Sequence, residues 1–155
     1  MECTKTTYIG NITDMRLVEN PNFIIHKRNA YGPTTGGYAA EKPIAEIIQN
    51  ALAQGFEAAN LPKSNSSNDF TLSGELIDYD CEVLMGIWDY TVNSKLTVKL
   101  KLADNRQNKI VWRDTYFGKS SLKKWNIPVK ESFSDAVTDF IRQVFFDELF
   151  LENLK

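Results

Sequence analysis

His26 is the only histidine in the sequence, and it is the first residue to weigh for chemistry. A Ser-His-Asp or Cys-His nucleophilic site needs an imidazole base, so such a site would have to use this side chain. The neighbouring Lys27 and Arg28 favour a neutral imidazole, which suits a base, but no Gly-x-Ser-x-Gly turn accompanies it. The pattern is more typical of an ordinary strand histidine, and we predict no catalytic residue.

Three carboxylates, Asp78, Asp80 and Glu82, alternate along a predicted strand. Alternation places them on one side of the strand, within reach of a cation. A solvated outer face explains them equally well, because carboxylates there resist edge-to-edge pairing. Hydrolysis by a carboxylate pair would also need a cleft that the sequence does not show. We predict no metal site.

Phosphate-binding motifs are missing from the sequence. Gly36-Gly37 lacks the lysine and the strand-to-helix setting of a P-loop, and no Gly-x-Gly-x-x-Gly occurs, so no cofactor is predicted. The glycines and Pro33 predict a loop over residues Asn29–Lys42, whose Tyr31 and Tyr38 add aromatic surface.

Aromatic residues are dense in the second half of the chain. Trp112 and Tyr116 lie in a predicted strand and are expected in the core. Trp88 and Trp125 lie beside turn-like residues, where a large ring is hard to bury. Either they pack locally, or they contact a protein, a glycan or a lipid interface.

The elements that position these residues follow from the periodicity of apolar side chains. They predict an α+β fold of order β-β-α-β-β-β-α, with two helices on one face of a mostly antiparallel sheet. The predicted strands are Tyr8–Arg16, Phe23–Lys27, Phe70–Leu76 with a continuation through Val83, Leu96–Leu102 and Ile110–Gly118; the predicted helices are Pro43–Phe56 and Phe133–Leu149.

Both helices carry end signals. Pro43 suits a first helical position, and Gly55 suits a left-handed C-cap. Ser132 with Asp135 forms a weak capping box at the start of the last helix. Phe146, Phe150 and Leu151 widen the apolar stripe of that helix beyond what one sheet face needs, so we predict that this end of the helix meets a partner as well as the core.

Size and charge narrow the function classes. The 155 residues predict one domain, with residues 1–7 as a flexible tail. The formal net charge of −2 offers no field for nucleic acid and no polybasic membrane anchor. No apolar stretch approaches the ~20 residues that span a bilayer, and Met1–Thr7 lacks the apolar segment of a signal peptide.

Cys81 is expected to be an apolar strand residue, although a disulfide bond to Cys3 is an open alternative.

The layout resembles that of small bacterial lipoproteins of the YajG type and, more distantly, the auxiliary lipoproteins of ABC transport systems. The residues that carry the resemblance are Ile12–Arg16, the glycine-rich loop with helix Pro43–Phe56, Leu72–Leu76, the hairpin of Leu96–Leu102 with Asn108–Trp112, and Tyr116–Gly118. The resemblance implies a non-catalytic protein on the periplasmic face of a bacterial outer membrane, lipidated at Cys3. No lipobox precedes Cys3 here.

Three hypotheses follow. The first is a non-catalytic envelope lipoprotein that contacts a protein or envelope component through the Tyr31–Tyr38 loop, Trp88, Trp125 and the apolar end of the last helix. The second is a carrier of a small ligand or lipid, with an apolar pocket between sheet and helices. The third is a hydrolase centred on His26 or on the acidic row.

Overall fold

The computed structural model describes residues 5–18, 20–28, 34–65 and 69–155, without the side chains of 25–28 and 34–38. None of the helices in these ranges combines the length and the apolar composition that a membrane span requires. The elements in chain order are β1 (Thr7–Asp14), β2 (Phe23–Arg28), β3 (Thr34–Ala39), α1 (Ile44–Ala58), β4 (Phe70–Met85), β5 (Tyr90–Asp104), β6 (Lys109–Lys124), α2 (Val129–Phe145) and α3 (Glu148–Asn153).

Four strands form a mixed, mostly antiparallel sheet in the order β1-β4-β5-β6. Strand β1 pairs with β4 in parallel, and β4, β5 and β6 form the predicted antiparallel meander. The predicted α+β class is confirmed. The predicted loop over Asn29–Lys42 is wrong at Thr34–Ala39, because these residues pair with β2 as a separate two-stranded sheet. Cross-strand pairing there overrides the weak strand propensity of Gly36 and Gly37.

The alternation in β5 shows how the sequence builds the two faces of the sheet. Alternate residues from Val92 to Leu102 are buried, and Lys95, Lys99 and Lys101 between them are exposed. Because successive side chains of a strand point to opposite faces, one face packs on the helices and the other stays in solvent. Trp112 and Tyr116 lie on the helix-facing side and are buried, which confirms their predicted place in the core.

Helix α1 begins at Ile44, one residue later than predicted, with Pro43 as its N-cap, and it buries Ile44, Ile48, Leu52 and Phe56. The predicted C-cap at Gly55 is wrong, because the helix continues to Ala58. Gly55 instead makes room for α2, since a Cβ at this position would overlap the ring of Phe145.

The last predicted helix is broken in two. It begins at Val129, not after Ser132, and Ser132 is fully buried within its first turns. At Phe146 the helix ends, and the Asp147 side chain caps α3 by accepting hydrogen bonds from the N–H groups of Leu149 and Phe150 at 2.9 and 3.2 Å. A carboxylate at this position satisfies free N–H groups of a new helix, so the chain changes direction there.

Helix α2 lies close to the outer strand β6. A Cβ added to Gly118 would collide with the carbonyl oxygen of Ala136 and lie 2.8 Å from Cβ of Phe140. The glycine therefore sets the distance between helix and strand. This proximity lets side chains of α2 reach the free backbone edge of β6.

Candidate contact site at the end of the sheet

Exposed apolar side chains collect where β4 turns into β5 and where β6 ends. Met85 pairs with Tyr90, and Tyr90 pairs with Lys124, so the β4–β5 turn and the residue after Lys124 lie at the same end of the sheet. Trp88 is 87% exposed and Trp125 is 82% exposed. We call the exposed apolar residues at this end the apolar tip: Leu84, Met85, Ile87, Trp88 and Trp125.

The turn that carries Trp88 has a defined backbone. The N–H of Gly86 donates to the carbonyl oxygen of Asp89 at 2.8 Å. A side chain at Gly86 would collide with the carboxylate of Asp89. That carboxylate lies 3.6 Å from Nζ of Lys123, which links the turn to β6. An exposed ion pair of this kind contributes at most about 1 kcal/mol, so the hairpin itself sets the position of the tip.

The tip exposes apolar surface that a partner could bury. Large exposed apolar patches with polar rims mark interaction sites on soluble domains. Indole rings suit such contacts because each combines a large apolar face with one N–H donor. Both rings are thus largely exposed, and the strand register places both at the same end of the sheet. Their contact with a partner stays a prediction.

Phe146 lies elsewhere. It is 78% exposed at the junction of α2 and α3, next to the exposed Leu149. Helix α3 packs near Trp112, at the start of β6, whereas Trp125 follows the end of that strand. At ~3.3 Å per residue, roughly 40 Å of strand separates the two regions. Phe146 therefore does not belong to the apolar tip.

The prediction that Phe150 faces a partner is wrong. Phe150 is fully buried, with its ring centroid 4.8 Å from that of Trp112 and 6.3 Å from that of Phe56. The break at Asp147 redirects the chain, so that α3 turns Phe150 toward the core. In a continuous helix, Phe150 would have stayed on the apolar stripe that the sequence predicted.

Several predicted residues lie outside the described part of the chain. Cys3 and Tyr31 are not described, and for Tyr38 and His26 only the backbone is, in β3 and β2. Their predicted roles stay predictions.

Cys81 carries a free, half-buried thiol in β4, and burial raises its pKa.

The acidic row lies on the open face of the sheet, as its alternation predicts. Asp78, Asp80 and Glu82 are exposed, and Asp80 stands directly opposite Lys95 on β5. Among the described residues, no group of three or more His, Cys, Asp and Glu side chains is placed to hold a metal ion.

A buried hydroxyl cluster joins α2 to the sheet. The Ser132 hydroxyl lies 2.7 Å from the hydroxyls of both Ser94 and Ser120, and the Ser94 hydroxyl lies 3.0 Å from that of Tyr79. Burial raises the pKa of Tyr79, so its phenol stays protonated and acts as a hydrogen-bond partner only. The cluster satisfies buried polar groups and fixes the start of α2. The sequence analysis missed it, although Ser94 stands at a buried position in the alternation of β5.

An apolar groove of about 490 Å³ runs between α1 and α2. Ile47, Ala51, Phe133, Val137 and Ile141 contribute its apolar lining. The groove opens between the helices, whereas the space between helices and sheet holds fully buried side chains such as Leu72, Leu96 and Phe140. This groove lies between the two helices, whereas the predicted pocket lay between sheet and helices, and that pocket stays a prediction.

Comparison with solved structures places this fold among known ones. Protein XCC0632 from Xanthomonas campestris, assigned to family DUF330, has a TM-score of 0.69 at 13% identity over 96% of this chain and 85% of its own. The chain shares its fold. The PelC dodecamer from Paraburkholderia phytofirmans matches with a TM-score of 0.53 at 13% identity, over 94% of this chain and 89% of its own.

A third structure, hypothetical protein CT253 from Chlamydia trachomatis, matches with a TM-score of 0.51 at 10% identity, over 96% of this chain and 95% of its own. No family model matches the sequence, and no curated protein matches it. At these identities the comparisons show the fold alone, and the YajG-type resemblance stays a prediction.

Proposed function

We propose that this protein is a non-catalytic component of a bacterial cell envelope that holds a protein or envelope partner through the apolar tip. The observation that carries the proposal is the exposure of Trp88 and Trp125 at one end of the sheet. Aromatic anchors commonly dominate the free energy of a protein contact. The resemblance to YajG-type lipoproteins supports an envelope role.

We further propose a location for this protein in the cell. A lipid on Cys3 tethers it to the periplasmic face of the outer membrane. Fractionation of cells that express the complete reading frame tests this point. The protein is expected in the outer-membrane fraction, and Cys3→Ser is expected to release it. If the wild-type protein is found in the soluble fraction, the proposed lipid tether is contradicted.

Site-specific photo-crosslinking in the native host tests the contact. A photoreactive residue replaces Trp88 or Trp125 in turn, and a matched residue replaces the exposed Gln107 in the β5–β6 turn at the opposite end of the sheet. We expect the two tip positions to crosslink to the same envelope component, and the Gln107 position to form no crosslink. No product, or the same products from all three positions, contradicts the contact.

A folding control accompanies this experiment. Because both rings are exposed, Trp88→Ser and Trp125→Ser should each change the free energy of unfolding by less than about 0.5 kcal/mol. Each substitution should nevertheless weaken the crosslink formed from the other tip position. A large loss of stability would assign the rings to the fold.

The second candidate function is a carrier of a small apolar ligand or lipid, which the groove between α1 and α2 favours. Native mass spectrometry of protein purified from its host tests it. A bound lipid that is lost in Ala51→Trp, which fills the groove, supports the carrier. The apo mass alone in both proteins contradicts it.

A further inference from the structure

The open face of the sheet is divided by charge. Strand β4 contributes its acidic residues, whereas β5 and β6 contribute exposed basic residues that face the same way. We call the second group the basic strip: Lys95, Lys99, Lys101, Arg113, Lys119 and Lys123.

Like charges stand directly opposite each other within the strip. Lys95 pairs with Lys119 across β5 and β6, and Lys101 pairs with Arg113. Such pairs destabilise an antiparallel sheet. In the described part of the chain, Lys99, Lys101, Arg113 and Lys119 form no ion pair within 4.0 Å. These four side chains are therefore available to pair with an anionic partner.

The dimensions of the strip favour a narrow partner. From Arg113 to Lys123 it is roughly 33 Å long at ~3.3 Å per residue, and it is two strands, or about 5 Å, wide. The acidic residues of β4 lie one strand spacing to the side, with Asp80 directly opposite Lys95 and Glu75 directly opposite Lys99. An anionic membrane plane would meet both rows and be repelled by one, whereas an extended chain can lie on β5 and β6 alone.

The spacing of the cations matches that of a polypeptide. Lys99 and Lys101 are two residues apart on one strand face, a repeat of about 6.6 Å, which is also the repeat of alternate side chains in an extended peptide. Between the cations, Thr97 and Thr115 offer hydroxyls, and the half-exposed ring of Phe117 offers an apolar contact. We propose that the basic strip binds an extended acidic segment of a partner polypeptide, with Asp or Glu at alternate positions.

This inference does not depend on the proposed function. The strip adjoins the apolar tip only at Lys123, which pairs with Asp89 in the turn. Loss of the tip contact would leave binding of an acidic peptide intact, and the converse also holds.

Fluorescence anisotropy with a labelled synthetic peptide of alternating Glu and Ser tests the proposal. The full chain should bind it saturably, and added salt should weaken binding, because the charges are exposed. Lys99→Gln with Lys101→Gln should lower the affinity about tenfold, because two exposed charge contacts with the peptide are lost. The control, Lys130→Gln with Lys155→Gln, removes the same charge from exposed positions outside the strip and should bind as the wild type does.

A second variant separates recognition from folding. Arg113→Glu converts the repulsive pair with Lys101 into an attractive one, so we expect a higher melting temperature together with weaker peptide binding. Unchanged binding by the Lys99/Lys101 variant would overturn the proposal. Equal or tighter binding of a peptide with the same residues in two blocks, of polygalacturonate, or of phosphatidylglycerol vesicles would overturn it as well.

Discussion

The carboxylate of Asp139 on α2 accepts a hydrogen bond of 2.9 Å from the backbone N–H of Lys119 on β6. The amide of Gln143, one turn later, donates to the carbonyl oxygen of Phe117 at 2.8 Å and to the same Asp139 carboxylate at 2.9 Å. Strand β6 is the last in the sheet, so its outer backbone groups have no neighbouring strand. Two side chains of α2 thus take the place of a strand over this part of the edge, which discourages edge-to-edge association.

Removal of this edge contact should be measurable. Asp139→Ala loses the bond to Lys119 and the support for Gln143, and we expect the free energy of unfolding to fall by about 1 kcal/mol. Chemical denaturation measures it. Asp135→Ala, at an exposed position on the same helix, should change stability by less than about 0.5 kcal/mol. Equal losses from the two variants would contradict a specific role for Asp139.

Gly118 should tolerate no side chain. Gly118→Ala places a methyl group against the backbone of Ala136, so α2 must move away from β6. We expect a loss of about 2 kcal/mol or more in the free energy of unfolding, as for other overpacked cores. Thr115→Ala, on the exposed face of the same strand, should cost less than about 1 kcal/mol. A Gly118→Ala variant as stable as the wild type would show that helix and strand can separate freely.

The hydroxyl cluster predicts a further stability difference. Ser132→Ala removes the hydroxyl that lies within hydrogen-bond distance of Ser94, Ser120 and the carbonyl of Val92. The substitution leaves buried polar groups without a hydrogen-bond partner. We therefore expect the free energy of unfolding to fall by about 1–2 kcal/mol, measured by thermal or chemical unfolding. The exposed Ser134→Ala is the matched substitution on the same helix and should be close to neutral. Similar values for both would mean that water replaces the Ser132 hydroxyl.

Asp69 predicts a pH dependence of stability. The backbone N–H of Thr6 donates to its carboxylate at 2.9 Å, and Arg106 lies 2.5 Å away; both hold the pKa of Asp69 below its usual value. A lowered folded-state pKa means that the carboxylate stabilises the fold fully above the unfolded pKa of about 3.9, and that this contribution disappears as the pH falls through the folded pKa. We expect the stability difference between wild type and Asp69→Asn to shrink on acidification below about pH 4. Denaturation curves across that range measure it, and a difference that is constant with pH would contradict the assignment.

Local periodicity was enough to predict much of the fold. The alternation of β5 and the burial of Trp112 and Tyr116 follow from side chains that face opposite sides of a strand. The stripe of α1 from Ile44 to Phe56 follows in the same way from the helical repeat. These features depend on residues that are neighbours in the chain.

Other features were decided only by the tertiary structure, because they depend on contacts between distant segments. The register of β4, β5 and β6 brings Trp88 and Trp125 to one end of the sheet and aligns the cations of the basic strip. The helix break at Asp147 buries Phe150, and the packing of α2 buries Ser132. Periodicity determines which side of an element is apolar, but strand register and a change of chain direction depend on long-range packing, which overrides local preference.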